Sequence, residues 1–311
     1  MSFLRRISLT TLLALLVLSP RPARAAACCL SASVFGIGRL AVWERAAFGM
    51  LTLAGRDTGR WDKDGTWRAF PDGYRQDEVR SDLWGILRLH ERVQAFGRLP
   101  WVAGIRSAEG VGQATGSGLG DAQVGGRWDV LLAGERAGVP AVALTATLTV
   151  PTARRAEEAT DPLGASTTGR GAWVAGLAAS VERAVLPWFA RLDVGVTVPA
   201  GFARQDLGKT QRYGTGVQLA VSAGRELVPD TVVLGAQVLL DREAPYTLNG
   251  NVEPASGTHG WNTGLSLSWK VAPAWTLTGN CATDAPAGWL GARNRTERWS
   301  AALGVRFGVV E

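Results

Sequence analysis

Twelve ionisable residues fall on the polar side of alternating stretches along this chain: Arg80, Asp82, Arg88, Arg98, Asp121, Arg127, Asp129, Glu182, Arg191, Asp193, Lys270 and Arg306. Charges of both signs at neighbouring heights predict ion pairs between strands. Two readings follow. The pairs are structural bridges that pack a closed interior, or they form a polar constriction that selects passing solutes. Other chemistry has little to work with. The two histidines, His90 and His259, lack a nucleophile in a Gly-x-Ser-x-Gly setting, and a hydrolytic triad needs a nucleophile beside an oriented base. Cys28, Cys29 and Cys281 show no metal-ligand spacing with the histidines. Asp62-Lys63-Asp64-Gly65 begins like a calcium loop but lacks the later ligands. The Gly-x-Gly of Gly118-Leu119-Gly120 is followed by neither Lys-Ser/Thr nor a helix, as a phosphate loop requires. The sequence therefore predicts no enzyme and no cofactor.

The elements that must position these charges follow from the period. A strand sends successive side chains to opposite faces. In 260–270, Trp261, Thr263, Leu265, Leu267 and Trp269 oppose Asn262, Gly264, Ser266, Ser268 and Lys270. In 140–151, Val142, Leu144, Ala146, Leu148 and Val150 oppose Ala141, Ala143, Thr145, Thr147 and Thr149. Comparable segments lie near 38–53, 76–90, 93–105, 119–131, 170–183, 187–199, 213–225, 230–241, 273–282 and 297–309, which makes twelve. A tilted strand of roughly 9–11 residues crosses a bilayer. Connections alternate between short ones (91–92, 132–139, 184–186, 226–229, 271–272) and long ones (54–75, 106–118, 152–169, 200–212, 242–259, 283–296). That alternation fits short periplasmic turns and long extracellular loops, with both termini on the periplasmic side. The adjacent charges Glu44 and Arg45 require one to face outward or the first strand to bulge.

The first residues read as a secretory signal peptide, 1–25: Arg5 and Arg6, an apolar run from Leu12 to Leu18, and Ala23-Arg24-Ala25. Four arginines and no acid lie in it, so most of the formal charge of +6 belongs to the leader and nucleic-acid binding loses its support. Ala25-Ala26-Ala27-Cys28 resembles a lipoprotein processing site, although a bulky aliphatic residue is expected at Ala25. Residues 26–37 are expected to form a periplasmic or lumenal segment before a barrel spanning 38–311. The alternative, a soluble β-sandwich, would bury the apolar face against a core instead of turning it to lipid.

Ser117-Gly118-Leu119-Gly120-Asp121, Gly125-Gly126-Arg127-Trp128, Val150-Pro151-Thr152, and the set Gly164, Gly169, Arg170, Gly171 and Trp173 carry a family resemblance. They resemble the outer-membrane transporters of the meta-cleavage pathway of phenol degradation, with their Gly-x-Gly-Asp strand opening and strand-ending Pro-Thr-Gly. Ala153 stands where that family usually has glycine. The C-terminal Gly304-Val305-Arg306-Phe307-Gly308-Val309 resembles the signal read by the barrel assembly machinery, with Val310-Glu311 beyond the expected terminal aromatic. The resemblance implies passage of small molecules, aromatic or hydrophobic ones among them, across the outer membrane.

The sequence thus predicts an all-β, antiparallel up-and-down transmembrane barrel of about twelve strands in the outer membrane, acting as a channel or transporter. Loop charges such as Asp57, Arg60, Lys63 and Arg68 would meet lipopolysaccharide. A non-conducting barrel whose loops bind a partner is the rival. A lumen opening to water or laterally to lipid favours transport, and a plugged one favours the structural role.

Overall fold

The computed structural model describes residues 38–135, 138–204, 208–284 and 292–310. The leader and the 26–37 segment, with the Cys28 processing site, lie outside the described residues. The chain forms one closed antiparallel barrel of twelve strands. In chain order these are β1 (Glu44–Trp61), β2 (Arg75–His90), β3 (Val93–Ala108), β4 in two pieces (Gly112–Leu119 and Ala122–Leu131), β5 (Ala141–Val150), β6 (Val174–Val185), β7 (Trp188–Pro199), β8 (Gly216–Val228), β9 (Val232–Glu243), β10 (Thr258–Ala272), β11 (Trp275–Asp284) and β12 (Arg295–Val310). Each pairs with its neighbours, and β12 closes on β1 from Glu44↔Val310 to Trp61↔Arg295.

The side-chain faces follow the period. Phe48, Leu83, Leu144, Leu177, Leu267 and Leu303 are exposed on the outer wall, whereas Gln94, Arg127, Thr147, Ser180, Asp193 and Ser268 are buried. An apolar exterior around a polar interior is the arrangement of a membrane barrel. Trp128, Trp188, Trp269 and Trp275 stand exposed at the ends next to the short turns, and Trp101, Trp173 and Trp299 toward the other end. These two rings mark interfacial belts, where an amphipathic indole is most stable.

Two expectations need correction, the bounds of the first strand and the loop 106–118, while the bulge expected at Glu44 and Arg45 is present. The first strand begins at Glu44 and runs to Trp61, not from 38 to 53. Residues 39–41 turn inward instead, because Leu40 is apolar enough to pack with Ala47 and Ile86 inside the barrel, while Val42 and Trp43 stay exposed. Glu44 and Arg45 are accommodated by a bulge between Glu44 and Ala46. The expected loop 106–118 is a tight hairpin, with β3 and the outer piece of β4 paired from Trp101↔Leu119 to Ala108↔Gly112. These extensions are glycine-rich and polar (Gly112-Gln113-Ala114-Thr115-Gly116-Ser117-Gly118), so they give no apolar stripe to read.

Strand β4 is broken where it faces Pro100. Proline has no N–H for the ladder and sits in sheets at edges or bulges. Here the Gly120 amide donates to the Pro100 carbonyl at 2.9 Å, and pairing resumes at Arg98↔Gln123. The break also switches parity. Gly116, before it, lies against inward-folded backbone, and the buried residues after it are Gln123, Arg127 and Asp129. Only the inner piece pairs with β5, so among the described residues no strand flanks the second edge of Gly112–Leu119.

Candidate functional site

The connection 151–173 covers that unflanked edge from inside. A Cβ on Gly104 would stand 3.0 Å from the Ala165 carbonyl oxygen, and one on Gly116 would collide with the Ser166 backbone, so glycine is what lets the loop lie on the wall. Loop side chains then complete the interrupted ladder. The Thr152 hydroxyl donates to the Gly120 carbonyl at 2.5 Å and accepts from the Ala122 amide at 2.9 Å. The Thr168 hydroxyl donates to the Leu119 carbonyl at 2.6 Å and accepts from the Arg154 amide. Asp121 accepts from the amides of Ala153, Arg170 and Gly171 at 3.3, 2.9 and 3.1 Å. Backbone groups at a membrane wall need partners, and here side chains supply them in place of a neighbouring strand. Asp121 therefore ties the loop to the break, where the sequence alone suggested only an inward charge.

The loop has its own internal lock. The Asp161 carboxylate accepts from the amides of Leu163, Ala165 and Ser166 at 3.1, 2.7 and 2.8 Å. Burial alone would raise its pKa, but the hydrogen bonds from the Ser166 hydroxyl and these three amides together outweigh it and bring the carboxyl down to about 2. Outside, Arg155 stacks over Phe202 and Arg170 over Tyr213, and Arg170 pairs with Glu243 at 2.7 Å. The loop is thereby tied to the connection 200–215 and to the end of β9; the connections 200–215 and 244–257 together carry a small sheet of Phe202–Arg204, Lys209–Arg212, Thr247–Leu248 and Asn251–Val252.

The remaining predicted charges form layers along the interior. Nearest the short turns, Arg127 and Asp129 bond at 2.9 Å and Arg191 and Asp193 at 2.8 Å, each within one strand at a two-residue spacing. Glu182 lies 4.0 Å from Arg191 and accepts from Arg39 at 2.7 Å, and Gln94 bridges Asp129 to the Leu40 amide. Residues 39–41 are thus held inside the barrel by its own wall. Arg88 donates to the carbonyls of Ala41 and Glu44, and Arg306 pairs with Glu44 across the closing seam at 2.6 Å. Midway, Arg80 bonds Asp82 at 2.8 Å, with Arg98 at 3.8 Å from the same carboxylate. Lys270 is half-buried on β10. The expected pairs between strands are present in Glu182–Arg191, Asp82–Arg98 and Glu44–Arg306, and bridges within strands join them, because residues two apart share a face and meet without a neighbour.

Sequence reasoning missed the layer near the long loops. Arg298 grips Asp57 at 2.6 Å and Glu78 at 3.1 Å, and Arg295 grips Asp241 and Asp284. Glu78 and Arg298 share parity with Arg80 and Arg306, so the alternation could have found them. Asp57 and Arg295 could not be found that way, because they lie beyond the apolar stripe that marked each strand.

The outer-membrane channel COG4313 from Pseudomonas putida F1 matches at a TM-score of 0.69 and 13% identity, over 86% of this chain and 97% of that one. The fold is that of an outer-membrane barrel. Looser likenesses include the KdgM porin in complex with disordered oligogalacturonate (TM-score 0.44, 7% identity, 84% of this chain and 98% of that one). Another is the β domain of the Bordetella autotransporter BrkA (TM-score 0.46, 14% identity, 84% and 99%). No protein-family model matches the chain, and no curated protein matches it.

Proposed function

We propose that this barrel is an outer-membrane channel or transporter for small molecules, aromatic or hydrophobic ones among them. The observation that carries the reading is the break in the wall at Gly120-Asp121. There a loop folded into the lumen replaces a strand, and side-chain hydroxyls hold the junction closed. A wall built only for rigidity gains nothing from substituting two threonines and an aspartate for a continuous ladder. A wall that opens toward lipid or lumen needs such exchangeable bonds, and apolar solutes partition into the lipid just outside it. The inward residues Arg80, Asp82, Arg98 and Lys270 would set polarity along the path, and the outer connections would meet lipopolysaccharide. Delivery to the membrane by the barrel assembly machinery belongs to the same reading.

A specific observation favours the rival, a non-conducting barrel whose loops bind a partner: residues 39–41 and the buried cluster of Arg127, Asp129, Glu182, Arg191 and Asp193 fill the interior next to the short turns. Planar-bilayer conductance and liposome uptake of small aromatic alcohols by the refolded protein separate the two. Solute uptake above that of empty liposomes is expected. Absence of both conductance and uptake would overturn the transport reading.

A further inference from the structure

Near the short turns each ion-paired arginine inside the barrel has a carboxylate of its own within hydrogen-bond reach, but midway two arginines share one. Arg80 and Arg98 share the single carboxylate of Asp82. Two guanidiniums present ten N–H donors. Among the described residues only one of them, Nε of Arg80, makes a hydrogen bond; Arg98 approaches Asp82 no closer than 3.8 Å, and its buried Nε has no partner. In register beside Arg98 stands Gln123, 6% exposed, whose side-chain oxygen, an acceptor, makes no hydrogen bond. Buried polar groups are nearly always hydrogen-bonded, and an unsatisfied cationic donor is among the costliest exceptions. The orphaned Arg98 donor, next to an excess positive charge, describes a site built for something that accepts hydrogen bonds; the Gln123 oxygen, itself an acceptor, adds nothing for an anion.

The surroundings define the rest of the ligand. Ladder pairing places Trp84 level with Arg98, and Phe96 one step closer to the short turns. Trp84 and Phe96 pack on the cluster of Leu40, Ala47 and Ile86, so an apolar shelf lies directly below the arginines. On the other side, Arg80 pairs with Leu53 and Val102. Arg80 and Arg98 keep 34% and 20% of their side-chain surface accessible, so the interior can reach them.

We infer that Arg80 and Arg98 bind the carboxylate of a small amphipathic monocarboxylate whose apolar body rests on the partly buried rings of Trp84 and Phe96. Guanidinium–carboxylate pairs are charge-assisted and two-pronged, which suits a planar anion presented to unused Arg donors. The inference deepens the proposed transport function by naming a solute class, and binding can be read independently of transport.

The test uses the refolded full-length barrel, with calorimetry for binding and bilayer current for passage. The probes are benzoate and its neutral isostere benzamide. Benzoate is expected to bind and to block the current, and to bind at least about tenfold more tightly than benzamide at low ionic strength, with the difference shrinking as salt screens the charge. Arg98→Gln should remove most of that difference. Asp82→Asn, which frees both arginines from their internal competitor, should enlarge it. Equal binding of benzoate and benzamide to the unaltered protein, or benzoate affinity unchanged in Arg98→Gln, overturns the inference. Should Arg98→Gln not fold, the benzoate–benzamide comparison and Asp82→Asn decide alone. A barrel that binds benzoate yet neither conducts nor takes up solute would sink the transport reading and leave this site standing. Uptake of neutral aromatics without any benzoate preference would do the reverse.

Discussion

Thr152 shows how one side chain substitutes for a strand. Its hydroxyl bonds Gly120 and Ala122 at once, where a continuous ladder would otherwise run. Thr152→Val keeps the shape and leaves an amide and a carbonyl unpaired at the wall. A destabilisation of about 1–3 kcal/mol is expected, read from urea-induced unfolding in lipid vesicles. A change below the error of that measurement would mean that water or a shifted loop already supplies the bonds. Arg298 makes a different point. The Asp57 side chain it grips is wholly buried, so Arg298→Ala strands a carboxylate without its cation. The expected loss is on the order of 3 kcal/mol, and adding Asp57→Asn should return part of it, whereas an exposed pair would show almost nothing. Of these two residues, Thr152 was legible from its place in a Pro-Thr strand ending. Asp57 was not, because it lies among polar residues past the last outward apolar side chain of β1.

That difference generalises to the elements. Where a strand is in contact with lipid, its outward residues must be apolar, and the period announces it; all twelve spans were readable for that reason. Where the same strand continues into water, nothing obliges alternation. Residues 54–61 of β1 and the outer piece of β4 therefore read as loops, although both are paired strands. The inward loop 151–173 was invisible for a further reason. Its position depends on glycines at 104 and 116, which belong to other strands, so no local pattern encodes it. What holds it is testable by acid. Asp161 has its pKa depressed in the folded loop, so its contribution is complete above the ordinary carboxylate value of about 4 and is lost as pH falls toward about 2. A spin label at Leu163 should therefore report an unchanged, ordered loop from pH 8 to 5 and rising mobility only below about pH 4. Asp161→Asn, unable to supply the charge, should show the more mobile spectrum at neutral pH. Loop release centred near pH 6 would assign the lock to some other group.

For the whole molecule, the decisive question is which face of the sheet meets lipid, since a one-residue slip would exchange every inward and outward side chain. In a soluble barrel Leu303 would be core and Ser300 surface. Here Leu303 is 76% exposed, midway along β12 between Trp299 and Phe307, while Ser300 is partly buried and hydrogen-bonded to the Ala282 carbonyl. An arginine at the bilayer midplane costs about 2–4 kcal/mol in such barrels, and far less near the interfaces. Leu303→Arg should therefore lower the refolding free energy in lipid vesicles by about that amount. Leu177→Arg, at an exposed outward position of β6, should act in the same direction. In detergent micelles, where the head group is nearer to every part of the wall, both penalties should shrink. The dependence on the apolar medium is what distinguishes lipid contact from core packing, because a buried leucine would cost as much in either. Equal losses in vesicles and micelles would turn the barrel inside out and place the arginine layers, with the carboxylate site among them, on its surface.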